Sequence, residues 1–188
     1  MPLDNCTPRE VEYLDVLDDN GRFLGSTRSI DAVHQRGDWH RTVHIWICSC
    51  QGHLLLQRRS LNKQASPGLW DVSCAGHISA GETSLAAAAR ECMEELGFQP
   101  PASSLQLLFE IKSSMTLPAG GTDREFNDVY LLNAEHDLNF YQPNPAEVIG
   151  LRLLHWRALE TLCHNRDPEY VRHEEEYHRL FEHLNIQG

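Results

Sequence analysis

Near the middle of the chain, Arg90-Glu91-Cys92-Met93-Glu94-Glu95 concentrates three carboxylates and one guanidinium in six residues. On a helix, Glu91 and Glu95 lie one turn apart and Glu94 is the i+3 neighbour of Glu91, so the three acids share a face. That face lies away from the apolar stripe Leu85/Ala89/Cys92/Leu96. Like charges at this spacing repel by about a few tenths of a kcal/mol per pair. A hard divalent cation would relieve the repulsion, because Mg²⁺ takes carboxylate oxygens together with water and substrate phosphates. Just upstream, Gly76 and Gly81 bracket a loop whose backbone can approach such a site closely. Most acidic runs of this kind are solvated helix faces. Here the surrounding residues argue otherwise.

Gly76, Glu82, Arg90, Glu91, Glu94, Glu95 and Gly97 fall at the intervals G-x5-E-x7-R-E-U-x-E-E-x-G-U, with Cys92 and Phe98 at the two apolar U positions. In this pattern the chain resembles the Nudix hydrolases. The resemblance implies an α+β fold, an α/β/α sandwich with a mixed β-sheet between helices. It implies that Glu91, Glu94 and Glu95 hold Mg²⁺, or Mn²⁺ in its place, that the Gly76 carbonyl joins the metal shell, and that Arg90 pairs with Glu82 to brace the loop. The substrate would be a small-molecule diphosphate, such as a nucleoside diphosphate derivative, cleaved by water attack at phosphorus. A carboxylate would accept the water proton. Glu91, Glu94 and Arg90 form the expected catalytic set. Outside the motif, Glu147, after Pro143-Asn144-Pro145, is a candidate base, and Glu125, at the start of a strand, a candidate metal ligand. Each is also the kind of glutamate that ordinary surfaces carry.

The stretch Arg58-Arg59-Ser60, Lys63 and Pro67-Gly68-Leu69-Trp70-Asp71 is similar to the Nudix branch that contains type I isopentenyl-diphosphate isomerases, their hydrolase relatives and the Nudix domain preceding a metallopeptidase in some plant proteins. That similarity implies that Arg59 and Lys63 hold the diphosphate, as a fork-shaped cation and a point charge. An isomerase of this branch has a cysteine directly before the Gly-His pair, where this chain has Ala75, and a second catalytic glutamate where this chain has Asn127. Cys74 is adjacent, but strand neighbours point to opposite faces. Hydrolysis is therefore expected over isomerisation or over a non-catalytic diphosphate-binding module. His34, His40 and His77 match histidine metal ligands of the isomerases approximately, which leaves an extra metal site and ordinary packed histidines both open. Trp39, Trp46 and Trp70 either line a pocket or belong to the core.

The elements that must carry these residues can be read from periodicity. A hairpin is expected over about 11–27, turning at Asp19-Asn20-Gly21. Strands are expected at 43–48, 54–56, 70–75, 105–111, 125–132 and 148–156, with helices at 85–96, closed by Gly97, and at 157–164. Asp167-Pro168 signals a last helix over about 168–186. The 188 residues suit one domain, 1–188, and a net charge of −11 from 27 acidic and 16 basic side chains disfavours duplex nucleic acid as a partner. No apolar run approaches the roughly 18 to 20 residues of a membrane helix, and the opening Met1-Pro2-Leu3-Asp4 lacks a leader's basic and apolar regions. A cytoplasmic monomer or homodimer with reduced cysteines is the expectation.

Overall fold

The computed structural model describes residues 11–187. The opening segment, whose composition predicts no leader, lies outside the described residues, as does Cys6. The hairpin is formed by β1 (Tyr13–Leu17) and β2 (Phe23–Ser29). In its turn, Asp18 Oδ1 accepts the backbone N–H groups of Asn20 and Arg22, and Gly21 takes φ 78°. A short helix, α1 (Ile30–Arg36), follows and ends at Gly37. Periodicity gives it no signal because Val33 is its one buried residue.

The centre of the sheet is β3 (Trp39–Cys48). It pairs antiparallel with β4 (His53–Arg59) and β6 (Cys74–His77) and parallel with β8 (Thr122–Asn133). The strand β7 (Leu105–Thr116) makes a long hairpin with β8, while β5 (Trp70–Asp71) and β9 (Val148–His155) extend the sheet from β4. The resulting sheet is mixed, as expected. Against it pack α2 (Ser84–Leu96), α3 (Trp156–His164) and α4 (Glu174–Gln187).

Strand alternation divides the core. Val43, Ile45 and Ile47 of β3 face Ala88, Cys92 and Leu96 of α2. Trp46 and Cys48 face the other way, toward Leu159 of α3 and Tyr177, Leu180 and Phe181 of α4. This is an α/β/α sandwich. On the second face the even-numbered row of β3 continues from Trp46 through His44 and Thr42 to His40, all buried. The apolar layer thus gives way to a polar one at that end of the sheet, where the site lies.

The last helix begins later than the sequence suggests, at Glu174. Asp167-Pro168 forms a turn instead, with Asp167 Oδ1 accepting the Glu169 N–H at 2.9 Å. Residues 169–171 then run beside β5, exchanging Trp70 N–H to Glu169 O at 2.8 Å and Val171 N–H to Trp70 O at 2.9 Å. The open edge of a two-residue strand captures them and delays the helix. Trp46 belongs to the core, Trp39 packs on Phe126, and Trp70 stacks on Arg152. The five described cysteines are free thiols. No helix among the described residues is long and apolar enough to cross a membrane.

Candidate active site at the free edge of β6

β6 pairs with β3 on one side only, so its outer edge presents unpaired backbone groups. Side chains from α2 satisfy them. The Glu95 carboxylate accepts the Ala75 N–H at 3.1 Å, and Arg90 Nη2 donates to the His77 carbonyl at 2.8 Å. The helix starts at Thr83, whose hydroxyl caps Ala86 N–H, and stops at Gly97 with φ 75°.

The three glutamates do not share one solvated face. Glu91 and Glu95 are buried, at 8% and 2% exposure, and Glu94 alone turns outward. Leu85, expected on the apolar stripe, is 36% exposed. Glu95 also accepts Gln57 Nε2 at 3.0 Å and Lys63 Nζ at 3.3 Å. Arg90 grips Glu82 with Nε and Nη2 at 3.0 and 2.9 Å, and its Nη1 reaches Glu91 at 2.7 Å and Glu94 at 3.1 Å. Gly76 is a glycine for a steric reason: a Cβ there would land inside the Glu91 carboxyl group. Burial pushes Glu91 up to about 8, Arg90 opposes this, and Glu95 adds to it. Burial thus favours the protonated form of Glu91, and a cation bound there would have to displace that proton. Were Glu91 to hold Mg²⁺ for catalysis, the Mg²⁺ concentration giving half-maximal activity would fall as pH rises from 6.5 through 8, measured by Mg²⁺ titration at fixed ionic strength. An unchanged midpoint would remove Glu91 from the cation's shell.

Lys63 ties the β4–β5 loop to this edge, bonding Glu147 at 2.5 Å as well as Glu95. Glu147 is thereby brought beside the α2 acids. Arg59 points elsewhere, donating Nη1 to Asp71 at 2.9 Å and Nε to the Ala65 carbonyl at 3.1 Å.

A second constellation lies on the α4-side face. His34 from α1, His40 from β3 and His77 from β6 set their tilted rings 5.3 to 5.6 Å apart, with ligand nitrogens within 4.8 Å of one another. Asp123 Oδ1 lies 3.5 Å from His34 Nε2 and 3.4 Å from His40 Nε2, ion-pair range but too long for good hydrogen bonds. Those three buried atoms have no hydrogen-bond partner, and the Asn127 Oδ1 has none either. Unpaired buried polar atoms are costly, so this arrangement suits a bound cation. Burial holds all three imidazoles toward the neutral, ligating form, and burial with Glu125 beside it pushes Asp123 up to about 7. Glu125 stands here, 4.0 Å from His40 and accepting Asn127 Nδ2 at 2.7 Å, rather than among the α2 acids. Asp123 escaped notice in the sequence, although its spacing of two from Glu125 puts both on one strand face. The α2 carboxylates are not gathered as tightly as this among the described residues; Arg90 supplies their counter-charge.

The description "NUDIX domain" matches residues 38–180. Nudix hydrolase 3 of Arabidopsis thaliana is 38% identical over 177 residues, 91% of this chain but 23% of that protein's length. An isopentenyl-diphosphate Delta-isomerase of Streptomyces griseus is 37% identical over 140 residues, 74% of this chain and 68% of the isomerase. Among solved structures, DR0079 from Deinococcus radiodurans superposes with a TM-score of 0.71 at 27% identity, over 89% of this chain and 98% of that one.

Proposed function

The chain belongs to the NUDIX family, and from that premise we propose that it is a divalent-cation-dependent hydrolase of small organic diphosphates. The observation that carries the proposal is the gathering of Glu91, Glu94, Glu95, Glu147 and Lys63 around the open edge of β6, braced by Arg90 and Glu82. The buried Glu91 carboxylate, held up by burial and by Glu95 even with Arg90 beside it, is the feature that fits a hard cation such as Mg²⁺, with Glu94 and Glu95 next to it. Such a cation supplies positive charge at the phosphate oxygens.

The chain's own groups do the rest. Lys63 and Arg59 bind and orient the diphosphate once their carboxylate partners share them with it. Water oxygen bonds to one phosphorus, the bridging P–O bond breaks, and the bridging oxygen leaves on the other phosphate. The water proton passes to a carboxylate. Glu94 and Glu147 are the two candidates whose side chains reach solvent, at 55% and 29% exposure. Arg90 keeps Glu91 and Glu94 in place without touching substrate.

Residues beside His77 disfavour isomerisation. Ala75 offers no thiol, and Cys74 is sealed in the α2-side core, where burial holds it as a neutral thiol. Asn127 already gives its amide to Thr42 and Glu125 and has no acidic proton to move. Incubation with Mg²⁺ and a panel of nucleoside and prenyl diphosphates, followed by ³¹P spectroscopy, is expected to show monophosphate release. Isomer formation without phosphate release would overturn hydrolysis, and no turnover of any diphosphate would overturn the enzymatic reading.

We also assign His34, His40 and Asp123, whose buried Nε2, Nε2 and Oδ1 atoms are left unpartnered, together with the adjacent His77 to a second cation with a mixed nitrogen and oxygen shell. Asp123→Asn is expected to lower bound metal by about one equivalent per chain, read by elemental analysis after dialysis. Unchanged stoichiometry would reject the assignment.

A further inference from the structure

The loop that joins β6 to α2, residues 78–83, carries Glu82, and its backbone donors are satisfied from two sides. On the inner side, Ile78 N–H goes to the Arg41 carbonyl of β3 at 3.0 Å. The β1–β2 hairpin supplies the outer side. Ala80 N–H donates to the Tyr13 carbonyl at 2.8 Å, and Gly81 N–H to Asp15 Oδ2 at 3.1 Å. Ser79 pairs antiparallel with Leu14, and its hydroxyl donates to Glu12 Oε1 at 3.2 Å. These contacts are open to the loop because β1 meets β3 at a single register pair, Leu17 with Trp39. A cleft of about 180 Å³ remains between hairpin and loop, lined by Asp15, Phe23, Arg41, Ile78 and Glu82 among others. Directional bonds at its rim, rather than close packing across it, therefore fix the loop against the hairpin.

Ser79 is the junction. Its hydroxyl is held by Glu12, its N–H donates to Glu82 Oε2 at 3.1 Å, and its carbonyl accepts the Glu82 N–H at 2.9 Å. Glu82 in turn takes Nε and Nη2 of Arg90 in a two-point grip. The same guanidinium reaches Glu91 and Glu94 through Nη1. One positive charge is thus divided among three carboxylates, and Glu82 directs part of it away from the acids that fit a cation. A loop free to drift would carry Glu82 with it. Arg90 would then turn fully to Glu91 and Glu94 and compete with a cation for them.

We propose that Glu12 and Asp15, both outside the Nudix motif, are positioning residues of the cation site. They fix the loop, and through Ser79 and Glu82 they hold Arg90 so that Glu91 and Glu94 stay available to a divalent cation. The inference rests on the divalent-cation reading of the α2 acids and adds to it. Neither residue is assigned a contact with cation or substrate; the hairpin acts through the loop alone.

The test is Mn²⁺ binding to the full chain, with free Mn²⁺ read by electron paramagnetic resonance and urea unfolding in parallel. The bound Mn²⁺ that Glu91→Gln abolishes reports the α2 acids. Glu12→Ala/Asp15→Ala is expected to weaken that class of binding about 3- to 10-fold, as the loss of two partly exposed hydrogen bonds predicts. Glu12→Gln/Asp15→Asn keeps an acceptor oxygen at both positions and is expected to restore affinity to within about 2-fold. In a Glu82→Gln background the alanine pair is expected to have little further effect, because the link through which it acts is already weakened. Wild-type affinity in the alanine pair would overturn the proposal. So would an undiminished loss in the Glu82→Gln background, which would leave the hairpin a purely structural contact. Asp15→Ala alone, which removes one bond at the surface, replaces the pair if the pair does not fold. If Glu91→Gln abolishes no bound Mn²⁺, the cation reading itself falls, and this proposal with it.

Discussion

Glu94→Gln is expected to lower kcat/KM by about 10²- to 10³-fold while unfolding at nearly the wild-type urea concentration. Glu94 is the one acid of the α2 trio that faces outward, and among the described residues its side chain bonds Arg90, at 3.1 Å. Changing an exposed carboxylate to its amide costs about 0.5 kcal/mol of stability or less. Any large loss of activity would then be chemical. Glu95→Gln separates the two effects, because Glu95 is buried and accepts from Ala75, Gln57 and Lys63. The amide has one acceptor oxygen in place of two charged ones, so this variant is expected to lose about 2 kcal/mol of stability as well as activity. Initial rates on the best diphosphate of the panel, with urea unfolding of both variants, read the two quantities independently. Wild-type rates in Glu94→Gln would take Glu94 out of the catalytic set. Wild-type stability in Glu95→Gln would mean that the edge of β6 does not depend on its cap.

The different behaviour expected of Glu94 and Glu95 shows where sequence patterns stop. Fixed spacing along one helix made Glu91, Glu94 and Glu95 legible as a set, and Gly97 as the helix stop. Periodicity assigned them one face, away from the apolar stripe, because it sees a helix without its neighbours. The neighbour here is an edge strand with free N–H and C=O groups, and it draws Glu95 and Arg90 inward while Glu94 stays out. The same limit delayed α4: Asp167-Pro168 is a sound first-turn signal, overridden because β5 offers an open edge to residues 169–171. Strand alternation made the sandwich readable, and it also held an unused clue, since His40 and His44, like Asp123 and Glu125, are spaced to share a face. Nothing local foretold that Glu176, 132 positions from His44, would be its partner. Contacts of that kind exist only once the sheet and the last helix have packed.

Gly76→Ala is expected to have the second large effect, and its origin is steric. Nothing in the backbone conformation of Gly76 demands a glycine, since its φ is outside the left-handed range that the turn glycines adopt. What demands it is the Glu91 carboxyl group, which occupies the space where a Cβ would stand. A methyl group there must either expel Glu91 or push β6 away from β3, where Gly76 pairs with Val43. Expelling Glu91 would displace the buried acid that fits the cation, and kcat/KM at low Mg²⁺ is expected to fall about 100-fold or more. Overpacking of this kind costs about 1–3 kcal/mol in a well-packed interior. The double variant Gly76→Ala/Glu91→Ala tells the two routes apart. Removing the carboxyl group relieves the clash, so the stability losses of the single changes are expected not to add: the pair should melt above the sum of its parts, while activity stays lost. Additive losses would place the strain in the β3–β6 pairing. A fully active Gly76→Ala would show that Glu91 can leave its seat without consequence, and that its closeness to the glycine plays no part in the chemistry.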